Sequence, residues 1–258
     1  MAVLDVVGLN ALEQLNCFGD YLRTLNLSGC TGLPTFIVGK CNQLATLNIT
    51  GCTALANLDV GGCHQVTALN ISDCAALETL YWDHNQLTSM NVSGCKALKY
   101  LTCQGTLLAT LNVSDCPSLE NLMCYDNQLT SLNVSGCSSL QALNCYNNRL
   151  TSLNVSGCPA LQILNCWDNQ LISLDLSGYP ELSLLYCYNN QLKTLDLSLN
   201  PLLSWLLCYN NQLKAINLKG CSVLSFLNCT GNHLTKLNLS GSRAELNVQC
   251  DDGVQIIR

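Results

Sequence analysis

Apolar residues recur along the chain in the step Leu-x-x-Leu-x-(Val/Cys)-x-x-(Cys/Asn), from Leu4 to the C-terminus. The unit Leu132-Asn133-Val134-Ser135-Gly136-Cys137 returns as Leu153-Asn154-Val155-Ser156-Gly157-Cys158. Between them lies a sister unit, Leu143-Asn144-Cys145-Tyr146-Asn147-Asn148. Each unit turns two apolar side chains to one side of a three-residue segment and one side chain to the other, the period-two signature of a short strand. Steps of ten and eleven residues leave no room for a helix of ordinary length. The pattern therefore predicts a β-rich solenoid, a coil with two short parallel strands and two tight corners per turn of 21–22 residues, and little or no helix.

From Leu22 to Leu77 the eleven-residue step repeats alone and spaces Cys30, Cys41, Cys52, Cys63 and Cys74 evenly. Beyond it an eleven-residue step alternates with a ten-residue one, giving 21-residue coils that begin at Leu69, Met90, Leu111, Leu132, Leu153, Leu174, Leu195, Ile216 and Leu237. Residues 1–258 are expected to form one elongated domain of about twelve coils. Residues 1–24 make the first coil and 237–258 an atypical C-terminal cap, where Ser242, Arg243, Ala244 and Glu245 replace Cys-x-x-Leu. At one corner the Asn of Asn-(Gln/Arg)-Leu (Asn127, Asn148, Asn169, Asn190, Asn211) is expected to turn inward and bond backbone groups left unpaired by the bend. Cys takes its place at the opposite corner.

Nineteen cysteines would ordinarily point to a disulfide framework. The repeat favours another reading. Ten (30, 41, 52, 63, 74, 95, 116, 137, 158, 221) follow a strand, and nine (17, 103, 124, 145, 166, 187, 208, 229, 250) sit inside the sister strand facing inward. Each set is expected to stack as a ladder at the strand spacing of about 4.8 Å. In-register Cβ atoms then stay farther apart than the roughly 3.5–4.5 Å of a disulfide. The cysteines read as small buried hydrophobes with weak S–H donors. No CxxC pair or His-spaced partner marks a metal site, and no cofactor is called for.

The run LxxLxCxxNQL followed by TSLNVSGC resembles the leucine-rich repeat superfamily, whose hallmark is LxxLxLxxNxL. The nested ten-plus-eleven arrangement resembles a bacterial 21-residue, irreko-like class, over about 240 residues. The departure is Cys in the strand and at the second corner, which changes packing more than fold. The resemblance implies a right-handed solenoid that binds partners, usually proteins, on a strand-lined face. It also implies a bacterial and often exported protein, whereas abundant free thiols fit a reducing cytosol. Both compartments stay open.

Charge narrows the partner classes. Only 11% of residues are charged and the net charge is −6, which argues against a nucleic acid held through its phosphates. No apolar run is long enough for membrane insertion, and no charged-then-apolar leader is present. Leu4 already stands in repeat phase, which fits removal of a leader or cap ahead of it.

The repeats supply an internal control, because outward positions can be compared coil by coil. On the eleven-residue face the outward residue is nearly constant: Asn26, Asn48, Asn70, Asn91, Asn112, Asn133, Asn154, Asp175, Asp196, Asn217 and Asn238. Ser28, Thr50, Ser72, Ser93, Ser114, Ser135 and Ser156 flank it. Such uniformity reads as side-chain hydrogen bonds repeated from coil to coil. The ten-residue face varies and is aromatic. Tyr125, Tyr146, Trp167, Tyr188 and Tyr209 follow the strand Cys in successive coils, with Tyr81, Tyr100, Tyr186, Trp205 and Phe226 at other outward positions. Such a ladder serves packing or presents an interaction patch. Tyr and Trp dominate binding hot spots, so Tyr125, Tyr146, Trp167, Tyr188, Tyr209, Tyr186 and Trp205 are the candidate ligand-binding residues. Trp82 occupies an inward position where Cys is expected.

Other signals carry less. Asn-x-Ser/Thr triplets are the repeat consensus itself, and His64, His84 and His233 are isolated. No nucleophile and base converge, so no catalytic residue is expected. Asp126 and Asp168 share a column two coils apart, about 10 Å by strand spacing, too far for a retaining acid pair. The expectation is a non-enzymatic module that binds a protein through its aromatic strand face. The alternatives are a structural or adhesive rod with end-to-end self-association, and a carbohydrate-binding surface.

Overall fold

The computed structural model describes every residue except Met1, Asp20, Ala68, Asn70, Ser72 and Asp73. The three-residue apolar segments form strands as their alternation requires, and no described residue is helical. Twelve parallel strands, from Leu15–Phe18 to Asn247–Gln249, pair in chain order into one unbroken sheet on the ten-residue face. Its register advances by whole coils: Leu122 pairs with Leu143, Leu143 with Leu164 and Leu164 with Leu185. Each central leucine points into the core and is fully buried, including Leu101, Leu122, Leu143, Leu164, Leu185, Leu206 and Leu227. The buried side chains of both faces join into one hydrophobic cluster running along the stack.

The opposite face is interrupted among the described residues. Its strands pair in separate groups: Ala2–Asp5, Leu22–Asn26 and Thr46–Asn48; Ser89–Asn91, Thr110–Asn112 and Ser131–Asn133; Thr194–Asp196 with Ala215–Asn217; Lys236–Asn238 with Gln255–Ile257. The expected second strand is missing at 152–155 and 173–176, which lie in no strand. A cleft of about 370 Å³ opens there, lined by Ser152, Asn154, Ser173, Asp175 and Tyr179 among others. Tyr179 fills the corner position that Cys158 and Cys221 hold in other coils, and it is only 5% exposed. A phenol there takes the space of a thiol, and overpacking of a close-packed interior is a physical reason for the lost pairing beside it.

The corners carry the polar accounting. Asn169 Nδ2 donates to the carbonyls of Cys145, Cys166 and Trp167 at 3.0–3.2 Å, and its Oδ1 accepts the Leu150 N–H at 3.0 Å. Asn148, Asn190 and Asn211 repeat the arrangement. At the opposite corner thiols do the work: Cys116, Cys137 and Cys158 donate to the carbonyls of Val92, Val113 and Val134 at 3.1–3.4 Å. The ten post-strand cysteines do not form the single ladder expected. Cys41 and Cys63 stand at the Asn corner, donating to Cys17 O and Val38 O, in the column that Asn85 continues by donating to Val60 O. Successive eleven-residue steps place alternate units on alternate faces, so a constant spacing in sequence divides into two columns in space. Trp82 is fully buried, inward as its position predicts.

Residues 237–258 abandon the motif but not the pairing. Asn247–Gln249 adds to Phe226–Asn228, and Gln255–Ile257 to Lys236–Asn238 in a 19-residue register, Lys236 opposite Gln255.

Candidate binding face

Three outward columns run along the unbroken sheet. The first holds Tyr100, Asn121, Ala142, Ile163, Leu184, Trp205 and Phe226, and the second Tyr81, Thr102, Met123, Asn144, Asn165, Tyr186 and Leu207. The third, just past the strand cysteines, holds Tyr125, Tyr146, Trp167, Tyr188 and Tyr209. These five rings stack face to face, with centroids 4.3, 4.1, 5.0 and 4.3 Å apart and planes within 12° of parallel. Trp205 stacks on Phe226 at 4.5 Å.

The candidate residues thus fall into two sets. Tyr125, Tyr146, Trp167, Tyr188 and Tyr209 are half-buried, and stacking covers most of their ring faces. Tyr186 and Trp205 lie in the other two columns, where Trp205 is 38% exposed. Around them stand Ile163, Leu184 and Leu207, apolar and partly exposed, which are not among the candidates named from aromatic character. A signal for them is present in the sequence: the preceding coils carry Asn121, Ala142, Asn144 and Asn165 at these outward positions.

Polar side chains border this patch. On one rim Ser183, Ser204 and Ser225 donate to the carbonyls of Gln162, Ser183 and Ser204. On the other, past the ring ladder, Asp126, Asn147, Asp168, Asn189 and Asn210 all have φ between 48° and 54°. That left-handed conformation favours Asn and Asp among residues other than Gly, so the turn explains these residue types. Asn147 lies between the two acids and donates to Asp126 at 2.7 Å, while Asn189 donates to Asp168 at 2.5 Å. The carboxylates serve the corner ladder rather than forming an acid pair. Asp59, Glu78, Asp83, Glu120, Asp126, Asp168 and Asp251 make the face acidic, against Lys40, Lys99, which is bound to Glu78 at 2.9 Å, and Arg149 beyond the corner. Burial and the neighbouring Tyr125 raise the Tyr146 phenol to about 12.

The uniform face has a local explanation. In each coil the outward Asn or Asp accepts the N–H two residues on: Ser93 to Asn91, Ser114 to Asn112, Ser135 to Asn133, Ser156 to Asn154, Ser177 to Asp175 and Ser198 to Asp196, at 3.0–3.1 Å. The expected coil-to-coil bonding gives way to an Asx turn that closes each corner separately. An exception is Asn217, which donates to Asp196 of the preceding coil at 2.9 Å. Asn70 and Ser72 of this ladder lie outside the described residues.

Most thiols are buried, and burial raises Cys124, Cys166, Cys187 and Cys208 well above their ordinary value. Among the described residues no group of three or more His, Cys, Asp or Glu is placed to hold a metal ion. Among the described residues no helix is long and apolar enough to cross a membrane.

No protein-family model matches the sequence, and no curated protein matches it. Solved structures do. The functional domain of InlJ from Listeria monocytogenes, which includes a cysteine ladder, superposes with a TM-score of 0.78 at 27% identity, over 95% of this chain and 54% of that one. The chain therefore spans about half the length of that domain. YopM, a leucine-rich effector protein from Yersinia pestis, gives 0.62 at 18% identity over 92% of this chain and 78% of its own. TLR13, in its complex with ssRNA13, gives 0.62 at 19% over 99% and 48%. At these identities the last two show a common fold alone.

Proposed function

The chain is a leucine-rich-repeat solenoid, and we propose that it acts as a non-enzymatic recognition module holding a protein partner against its unbroken sheet. The observation that carries this reading is the partition between faces. The uniform face is accounted for by its own turns, whereas the varied face exposes Ile163, Leu184, Tyr186, Trp205, Leu207 and Phe226 without a structural role that demands them. An apolar centre bordered by hydroxyls, amides and carboxylates is the anatomy of a protein interface. The anchors are then the first two columns, centred on Trp205 and Tyr186, with the ring ladder as a stiff border.

Stacking also weighs against a sugar ligand. A pyranose packs on an aromatic face, and the interior rings of the ladder have both faces occupied. The acidic rim disfavours nucleic acid and favours a partner with Lys and Arg around its own apolar anchors, whose association slows as salt rises.

Capture from a lysate of the source organism tests the reading. A protein held by the native chain should be lost with Leu184→Ser/Trp205→Ser and kept with Leu199→Ser/Leu202→Ser, which removes more exposed leucines outside this face. Equal capture by all three would remove the face from consideration.

A further inference from the structure

We propose that the ring ladder is an oxidative modification site, at which Tyr125 bonds to Tyr146 and Tyr188 to Tyr209 as two intrachain dityrosine bridges. The inference stands apart from the recognition reading and rests on ring geometry. Within the ladder only these two neighbouring pairs are both tyrosine, because Trp167 separates them. In each pair the centroids are 4.3 Å apart and the planes 11–12° from parallel. The rings occupy equivalent positions of successive coils and the hydroxyls of each pair are hydrogen-bonded, so the two phenols point the same way and their ortho carbons are held near one another. All four side chains are half-buried, with the body packed and part of the ring reachable by a small oxidant.

The chemistry balances with a peroxide as oxidant and a haem peroxidase to activate it. Each phenol gives up one electron and its hydroxyl proton, leaving a phenoxyl radical with spin on its ortho carbons. Two such radicals form a carbon–carbon bond between those carbons. The two ring hydrogens then move to the phenolic oxygens and restore aromaticity. Each bridge removes two hydrogens from the chain, and the hydrogen peroxide consumed becomes two waters. Held neighbours outcompete intermolecular coupling because fixed proximity acts as a very high local concentration. Each bridge spans 21 residues (146 − 125 and 209 − 188) and so restrains the unfolded chain as a disulfide does. Oxidation would therefore fasten the coils of the varied face to one another.

The test treats the dilute purified chain with hydrogen peroxide and a haem peroxidase, then measures the monomer. The expected result is blue dityrosine fluorescence in the monomer, a mass loss of two hydrogens per bridge, and a raised melting midpoint. Cleavage before Asp126 and Asp196 separates the members of both pairs in sequence, so linked peptides identify the bridges. Tyr146→Phe/Tyr209→Phe keeps a stackable ring at every rung and should abolish the monomer's fluorescence. An unoxidised monomer, coupling only between molecules, links mapped to other tyrosines, or undiminished fluorescence in the double variant would each overturn the proposal. The peptide map decides the matter on the native chain even if the variant folds poorly.

Discussion

At the corner that Cys158 and Cys221 occupy, Asn200 stands in one coil, and the difference can be measured. Its Nδ2 donates to Leu176 O at 3.0 Å and Tyr179 O at 2.9 Å, while its buried Oδ1 has no partner. Cys is almost isosteric, and at the next coil the Cys221 thiol meets Leu197 O at 3.2 Å. Asn200→Cys should therefore stabilise the chain by about 1 kcal/mol, seen as a higher urea midpoint with unchanged slope, because it removes an unpaired buried acceptor. At the other corner both ends of the amide are used. Asn169→Leu strips four backbone partners at once and should cost about 3 kcal/mol or more by the same measurement. The thiols add a pH dependence. Burial raises Cys145 and Cys158 to about 12, and Cys63, Cys95, Cys137 and Cys221 to about 11, from an ordinary 9.0. The unfolded chain then loses these protons at lower pH than the folded one. Their contribution is complete below about pH 9 and is lost as pH rises through 11 to 12. Urea midpoints should be level up to about pH 9 and fall between there and about pH 12. The corner roles of Asn and Cys were legible in the sequence because bend geometry leaves backbone groups that need partners. The Asx turns were not, since identical residues in register are equally compatible with bonds along the ladder and bonds within each turn.

The elements differ in continuity more than in kind. Alternation of apolar positions was enough to predict a short strand in each half-unit, and on the ten-residue face it succeeds without a gap. The other face fails at 152–155 and 173–176, near the one corner where a phenol replaces a thiol. Pattern registers that both residues are apolar, but not that one is too large for the stacking distance. Hydrogen exchange should show this contrast. The amides of Cys145, Cys166 and Cys187, bonded at 2.9 Å to the next coil, should exchange far more slowly than those of 153–155 and 174–176. Tyr179→Cys should slow exchange in the second group. The aromatic column was equally legible, as the 21-residue period aligns its members. Which atoms it offers to a partner was not, because ring orientation follows from side-chain torsions that spacing does not determine. Stacking is the reason the proposed anchors are Trp205, Tyr186 and the aliphatic residues beside them.

Across the whole molecule, each coil buries its leucines against the coils above and below, so stability accumulates along one axis and no distant contact is needed. That leaves outward positions free to vary wherever the turn chemistry permits. The freedom has been used on the varied face, where Tyr81, Tyr100, Met123 and Trp205 are exposed beside the partly exposed Ile163, Leu184, Tyr186 and Leu207 in adjoining columns of one sheet. The charge predicts that the association rate with the captured partner falls steeply between low and physiological salt, with a smaller change in the dissociation rate. The central claim is that this face, and not the uniform one, meets the partner. Hydroxyl-radical footprinting of the chain, alone and with the captured protein, tests it most directly. Protection of Leu184, Tyr186, Trp205 and Phe226, with Leu199 and Leu202 unchanged, is the predicted result. Protection confined to Leu199, Leu202 and the Asn ladder, with Trp205 still fully reactive, would contradict it.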